Sequence, residues 1–266
     1  MTAHVSSAFA KAAAENRAAL IGYLPAGFPT PEISVRLINA MVGAGVDIIE
    51  VGLPYSDPLM DGPVIQQAVN EALAAGTTTD HVIDVVRQIT EAGATAIVMS
   101  YWNPIEHYGV QKFASRLQSA GGSGLIAPDL SPEEGADWAA AATAHDIDRI
   151  FMVAPSSTDA RIAEIVKHSS GFIYAASTMG VTGARTSVGG AASGLVARTR
   201  QFTQLPIGVG LGVSTAAQAA EVAAYADGVI VGSAFVRRVL DADNESAAIA
   251  AVSELARELA TGVRRL

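Results

Sequence analysis

Cysteine is absent from the 266 residues, only three are lysine, and aromatic side chains make up 6%. Without cysteine there is no disulfide framework, no zinc–thiolate site and no thiol nucleophile, and the expectation is an intracellular, cytoplasmic protein. Basic residues are outnumbered as well, 17 Lys+Arg against 26 Asp+Glu for a net charge of −9. That balance argues against nucleic acid or an anionic membrane surface as a partner. No apolar run approaches the roughly 20 residues needed to cross a bilayer. The stretch Ala8–Leu20 is interrupted by Lys11, Glu15, Asn16 and Arg17, so it does not read as a secretory signal. None of Lys11, Lys112 and Lys167 falls at the C-terminal end of a predicted strand, so a Schiff base lacks its amine. The five histidines, His4, His81, His107, His145 and His168, lack ligand spacing, so no metal site is expected.

What is abundant is small and apolar. Half the chain is hydrophobic, carried by Ala, Val and Ile, and there are 25 glycines. Short β-branched runs between Ala-rich helices are the pattern of a parallel sheet buried on both faces. Eight such runs follow one another: Ala19–Leu24, Asp47–Val51, Ala96–Tyr101, Gly124–Ala127, Arg149–Val153, Gly171–Ala175, Pro206–Val209 and Gly228–Val231. Helix starts separate them. Thr30-Pro31-Glu32 combines an N-cap, a proline at N1 and an acid in the first turn. Ser131-Pro132-Glu133-Glu134 reads as a capping box. Thr158 precedes an Ile162, Ile165, Val166 stripe, and Ser214 opens an Ala-rich helix over Thr215–Ala224. With no linker or charge block, the reading is one α/β domain over 1–266. It is a (β/α)8 TIM barrel with an extra N-terminal helix and a short helix, Phe235–Leu240, after strand eight. An open doubly wound sheet is the alternative.

Barrel chemistry sits at the C-terminal ends of the strands, and there the polar residues break the pattern. The second run reads Asp47-Ile48-Ile49-Glu50-Val51-Gly52, which puts Glu50 on the face of Ile48 near the strand's end. A carboxylate among apolar neighbours has its pKa raised by desolvation, which suits a general acid–base at neutral pH. A rim-solvated or arginine-paired glutamate is the other reading. The following loop, Leu53–Pro63, carries Asp57 and Asp61. Both also fit ordinary turn chemistry, in Ser-Asp-Pro and Asp-Gly-Pro. Tyr174 on the sixth run is a candidate assistant or a packing residue. Glycine-rich segments end the last three runs: Ser177–Arg185, Gly208–Ser214 and Gly232-Ser233-Ala234. Backbone N–H groups there, beside a helix start, form an anion site at the usual phosphate position of a barrel. Neither the dinucleotide fingerprint nor the P-loop fits, since the glycine spacing is wrong and there is no Gly-Lys pair.

The segment Ile49–Pro63 resembles the signature of the tryptophan synthase α subunit. So do Gly22–Pro29, Tyr101-Trp102-Asn103-Pro104, Pro128-Asp129-Leu130, Gly180-Val181-Thr182-Gly183, Gly208–Gly212 and Gly232-Ser233. The resemblance covers nearly the whole chain. It implies retro-aldol cleavage of indole-3-glycerol phosphate to indole and glyceraldehyde 3-phosphate. Indole then passes through a tunnel to a pyridoxal-phosphate-dependent β subunit in an αββα assembly. This chain itself would carry no cofactor and no metal. The resemblance further implies that Glu50 is the acid–base and Asp61 the partner of the indole N–H, with Tyr174 beside the reacting side chain. Gly183, Gly212, Gly232 and Ser233 would hold the phosphate, and Tyr23, Asp57, Asp129 and Thr182 would line the substrate or its mobile loops. Two other readings stand beside it. Another phosphosugar barrel should show a strand-end lysine, and a non-catalytic subunit that only activates a partner should not form indole alone.

Overall fold

The computed structural model describes residues 4–176, 190–210 and 212–265. Gly183 and Thr182, and the Ser177–Arg185 segment that carries them, lie outside those residues.

The eight apolar runs form nine parallel segments. These are β1 (Ala19–Pro25), β2 (Ile48–Gly52), β3 (Thr95–Met99), β4 (Gly124–Ile126), β5 (Asp148–Ile150), β6 (Met152–Val153), β7 (Ile173–Ala176), β8 (Ile207–Gly210) and β9 (Gly228–Val231). Their order is β5-β4-β3-β2-β1-β9-β8-β7-β6. The two ends of that order, β5 and β6, are separated only by Phe151, whose carbonyl accepts the Tyr174 N–H at 3.1 Å. They are two halves of the fifth run, one paired with β4 and the other with β7, so the sheet closes on itself as a (β/α)8 barrel.

Alternation along the strands separates two cores. Residues such as Leu20, Leu24, Ile49, Val51, Val98 and Val229 face outward, into the layer of helices. Ile21, Ile48, Ile97, Ile126, Ile150, Phe172 and Ile230 face inward and meet Val5, Phe9 and Ala12 of helix α1 (Val5–Ala14). The barrel is therefore filled by side chains and plugged at its N-terminal end. Phe9 packs on Phe172 with ring centroids 5.4 Å apart. This pairing explains the extra N-terminal helix expected from the sequence: its apolar face has no other strand layer to cover.

Ten further helices connect or flank the strands as far as α11: α2 (Pro31–Gly43), α3 (Pro63–Ala74), α4 (Thr79–Glu91), α5 (Trp102–Tyr108), α6 (Val110–Ser119), α7 (Ala136–Ala144), α8 (Asp159–His168), α9 (Gly190–Arg200), α10 (Ala216–Ala223) and α11 (Ser233–Leu240). The last, α12 (Glu245–Gly262), packs against α2, α10 and α11. Thr30 and Thr158 cap α2 and α8 as their sequences predict. Two starts are shifted. Ser131 and Glu134 do bond to one another, but they close a turn, and α7 begins at Ala136 behind Gly135. Thr215, rather than Ser214, caps α10, while the Ser214 N–H and hydroxyl donate to the Gln218 side chain. The cap of α10 thus moves by one residue, whereas α7 starts a full turn later than its sequence signal.

Candidate active site

Strand β2 carries Glu50 into the barrel two residues beyond Ile48, opposite Tyr23 of β1 and Ile97 of β3. Its side chain is 1% exposed, and its Oε1 has no hydrogen-bond partner among the described residues. Neither alternative left open by the sequence holds there: it is not at a solvated rim, and no described arginine pairs with it. Burial alone pushes its pKa up to about 8. The carboxyl is therefore protonated at neutral pH, ready to act as a proton donor.

Two tyrosines frame it. Tyr174, on β7, is half-buried, and its hydroxyl pKa is raised by desolvation and by the Glu50 charge. Its ring lies so close to β8 that a Cβ at Gly210 would collide with its hydroxyl. Tyr23 is within electrostatic reach of both Asp61 and Glu50; burial first, then these two charges, raises its hydroxyl pKa. A Cβ at Gly52 would sit 2.5 Å from the Tyr23 hydroxyl, and the backbone of Gly232 lies against the same ring. The glycines at these strand ends thus make room for the tyrosines, a role their spacing alone did not specify.

Asp61 reaches the same space from the β2–α3 loop. It is partly buried, which raises its pKa, while a hydrogen bond donated by the Tyr101 hydroxyl at 3.2 Å lowers it. Asp57, in contrast, is exposed and accepts from the Ser56 hydroxyl at 2.6 Å, as its turn sequence suggests. Asp129 receives the Trp102 N–H at 2.9 Å and so caps α5 from the next loop. The structure therefore brings Glu50, Asp61, Tyr174 and Tyr23 together, and sets Asp57 and Asp129 in loop-holding contacts. Tyr101 and Tyr55 were not singled out from the sequence. Their rings pack 5.5 Å apart, and Tyr55 accepts from Asn103 at 2.9 Å. Both lie in segments that carry the family resemblance, but their place in strand ends and loops is explained equally well by packing.

Beyond the end of β8, Gly212 has φ +67°, a conformation that glycine adopts without strain. Gly232 precedes α11 as its N-cap and offers no side chain to its first turn. The first N–H groups of α11 to bond back into the helix are those of Phe235 and Val236, on the Gly232 carbonyl. An uncapped helix start next to a glycine turn is an environment suited to an anion. Among the described residues, no group of three or more His, Asp or Glu side chains is arranged to hold a metal ion, and no helix is long and apolar enough to cross a membrane.

A closed (β/α)8 barrel with a buried, unpartnered carboxyl and tyrosines gathered toward the C-terminal ends of its strands has the architecture of a barrel enzyme. Comparison with known proteins narrows the class. A family model described as tryptophan synthase alpha chain matches residues 9–264. The tryptophan synthase alpha chain of Thermobifida fusca is 62% identical over 258 residues, 96% of each chain. That of Acidothermus cellulolyticus is 57% identical over 266 residues, covering 100% of this chain and 98% of the relative. A solved structure of Mycobacterium tuberculosis tryptophan synthase superposes with a TM-score of 0.94 at 50% identity, over 100% of both chains. The chain belongs to the tryptophan synthase alpha chain family. It is a lyase of tryptophan biosynthesis that cleaves indole-3-glycerol phosphate to indole, and its family forms complexes with a β subunit. The alpha chain of this family needs no cofactor.

Proposed function

We propose that Glu50 is the acid–base of this cleavage, with Asp61 and Tyr174 as its catalytic partners. The neutral Glu50 carboxyl delivers its proton to indole C3, which turns the ring into an iminium electron sink. Asp61 accepts the N–H on which positive charge develops, and Tyr174 packs beside the reacting side chain. The Glu50 carboxylate, having lost its proton, then takes one from the glycerol hydroxyl next to the ring. The C–C bond breaks, its electron pair returns to the indole, and glyceraldehyde 3-phosphate leaves as the aldehyde. Every proton is accounted for by one carboxyl, so the step requires neither an amine nor a metal.

The observation that carries this assignment is the burial of Glu50 without a hydrogen-bond partner at Oε1. A structural carboxylate is normally paired, and this one is held for a group that is not part of the chain. The phosphate is assigned to backbone N–H groups around Gly212, Gly232 and Ser233, with Gly183 from the segment outside the described residues, where Thr182 lines the substrate. Tyr23 lines the indole, and Asp57 and Asp129 shape the loops at the mouth. In this reading residues 1–266 act as one domain in the cytoplasm, in an α2β2 assembly. Indole passes to a β subunit that carries pyridoxal phosphate.

The test is an indole-release assay on indole-3-glycerol phosphate, with and without β subunit. Removing a general acid–base costs about 10²–10⁴-fold, so Glu50→Gln is expected to lose about 10³-fold in kcat, and Asp61→Ala about 10²-fold, with both folded. Indole release at the unsubstituted chain's rate by either variant overturns that residue's assignment.

A further inference from the structure

Between β3 and α5, the buried side chain of Tyr101 makes two hydrogen bonds to one short stretch of the β2–α3 loop. Its hydroxyl accepts the Met60 N–H at 2.9 Å and donates to Asp61 Oδ1 at 3.2 Å. A phenol has a single proton to give. With the Met60 N–H on its acceptor side, that proton is left for the carboxylate, so the bond has a fixed direction. The Tyr101 ring is itself backed by Tyr55, whose hydroxyl is held by Asn103. The loop between Gly52 and Pro63 has no helix or strand of its own, so side-chain contacts must set where Asp61 points.

We propose that Tyr101 is a positioning residue for the cleavage reaction, fixing the rotamer of Asp61 and the path of the loop that carries it toward the indole nitrogen. The inference rests on the assignment of Asp61 in the proposed function. It also yields a property that a mere packing residue lacks. The Tyr101 bond favours the ionised Asp61 and opposes the effect of burial. The other group facing Asp61 is the Tyr23 hydroxyl of β1, which also feels Glu50 of β2. Both Tyr23 and Glu50 are neutral at neutral pH, so Tyr101 is the side chain that holds the Asp61 charge in place.

The experiment compares Tyr101→Phe, Tyr55→Phe and Asp61→Ala in the full chain with β subunit, measuring indole release from indole-3-glycerol phosphate against pH. Phenylalanine keeps the ring and its packing, and an unchanged thermal midpoint confirms the fold. Tyr101→Phe is expected to lower kcat about 10-fold with KM changed less than threefold. Activity that needs ionised Asp61 fails as pH falls through its pKa, and loss of the bond raises that pKa. The acid limb of the pH–kcat profile therefore moves to higher pH, by about half a unit or more. Tyr55→Phe loosens the same loop without touching Asp61 and leaves the limb in place. An unshifted limb in Tyr101→Phe overturns the inference, whether or not kcat falls, because a purely structural role lowers kcat without moving it. If Asp61→Ala is impaired while Tyr101→Phe matches the parent, only the positioning role fails. If Asp61→Ala releases indole at the parent rate, the assignment of Asp61 fails and the inference fails with it.

Discussion

Two carboxylates sit three residues apart on the chain, Asp47 just before β2 and Glu50 within it, and the barrel treats them in opposite ways. Asp47, at the N-terminal end, is clamped by Arg17 through two bonds of 2.5 and 2.8 Å and also accepts the Leu20 N–H at 2.8 Å. Arg17 itself is 8% exposed, donates a further bond to Glu15, and has its pKa driven further up by these acids. Glu50, three residues on, is buried more completely and has no such partner for Oε1. The N-terminal end is completed by pairing polar groups and inserting Phe9. The C-terminal end leaves a carboxyl uncompensated, frames it with tyrosines, and surrounds it with glycines. The lesson is that burial alone does not single out a candidate catalytic carboxylate, whereas burial without a partner does.

That contrast can be broken from either side. The largest effect on stability is expected at the paired end. Asp47→Ala strips the buried Arg17 of its main partner, and breaking such a pair costs about 3–5 kcal/mol. Denaturant unfolding should register that loss, while kcat for indole release in the cold stays within about twofold. A large fall in kcat with little loss of stability would mean that the two ends are not separate in function.

Next comes the plug. Phe9→Ala removes a ring that is 5% exposed and packed on Phe172, and is expected to cost about 3 kcal/mol by transfer and cavity terms. A thermal scan checks it, and the pH–rate profile of the variant should keep its shape.

The last effect is read against pH rather than at a single condition, and lies at Glu50. A carboxyl whose folded pKa is raised keeps its proton in the native state after the unfolded chain has lost it. Its contribution to stability is therefore intact below about pH 4, falls as pH rises, and is exhausted above its folded value of about 8. Glu50→Gln cannot ionise, so its stability relative to the parent should rise steadily as pH goes from 5 to 9. A constant difference between the two chains across that range would contradict the buried, unpartnered state.

Much of the barrel was legible before any coordinates. The eight β-branched runs and the Thr30 and Thr158 caps depend on local pattern, which survives in the fold. The candidate carboxylates were legible for a different reason. Glu50 is a charge where alternation demands an apolar residue, and Asp61 lies in a loop stiffened by three prolines. Tyr101 gave no such signal, because a tyrosine at a strand end is ordinary core material until its hydroxyl is seen to bridge Met60 and Asp61. The break at Phe151, the start of α7 and the insertion of Phe9 were equally hidden, since each is settled by contacts between distant segments.

The sequence by itself determined the kind of chemistry open to this protein. With no cysteine, no strand-end lysine and no histidine cluster, carboxylates and backbone amides are what remain. Only the tertiary structure decided which carboxylate is left unpaired. Asp47 and Glu50 are three residues apart, and what separates them is that Arg17 reaches one while no described cation reaches the other. Whether a charge is paired depends on which distant residues the closed sheet brings within bonding distance, and that geometry is set by the fold as a whole.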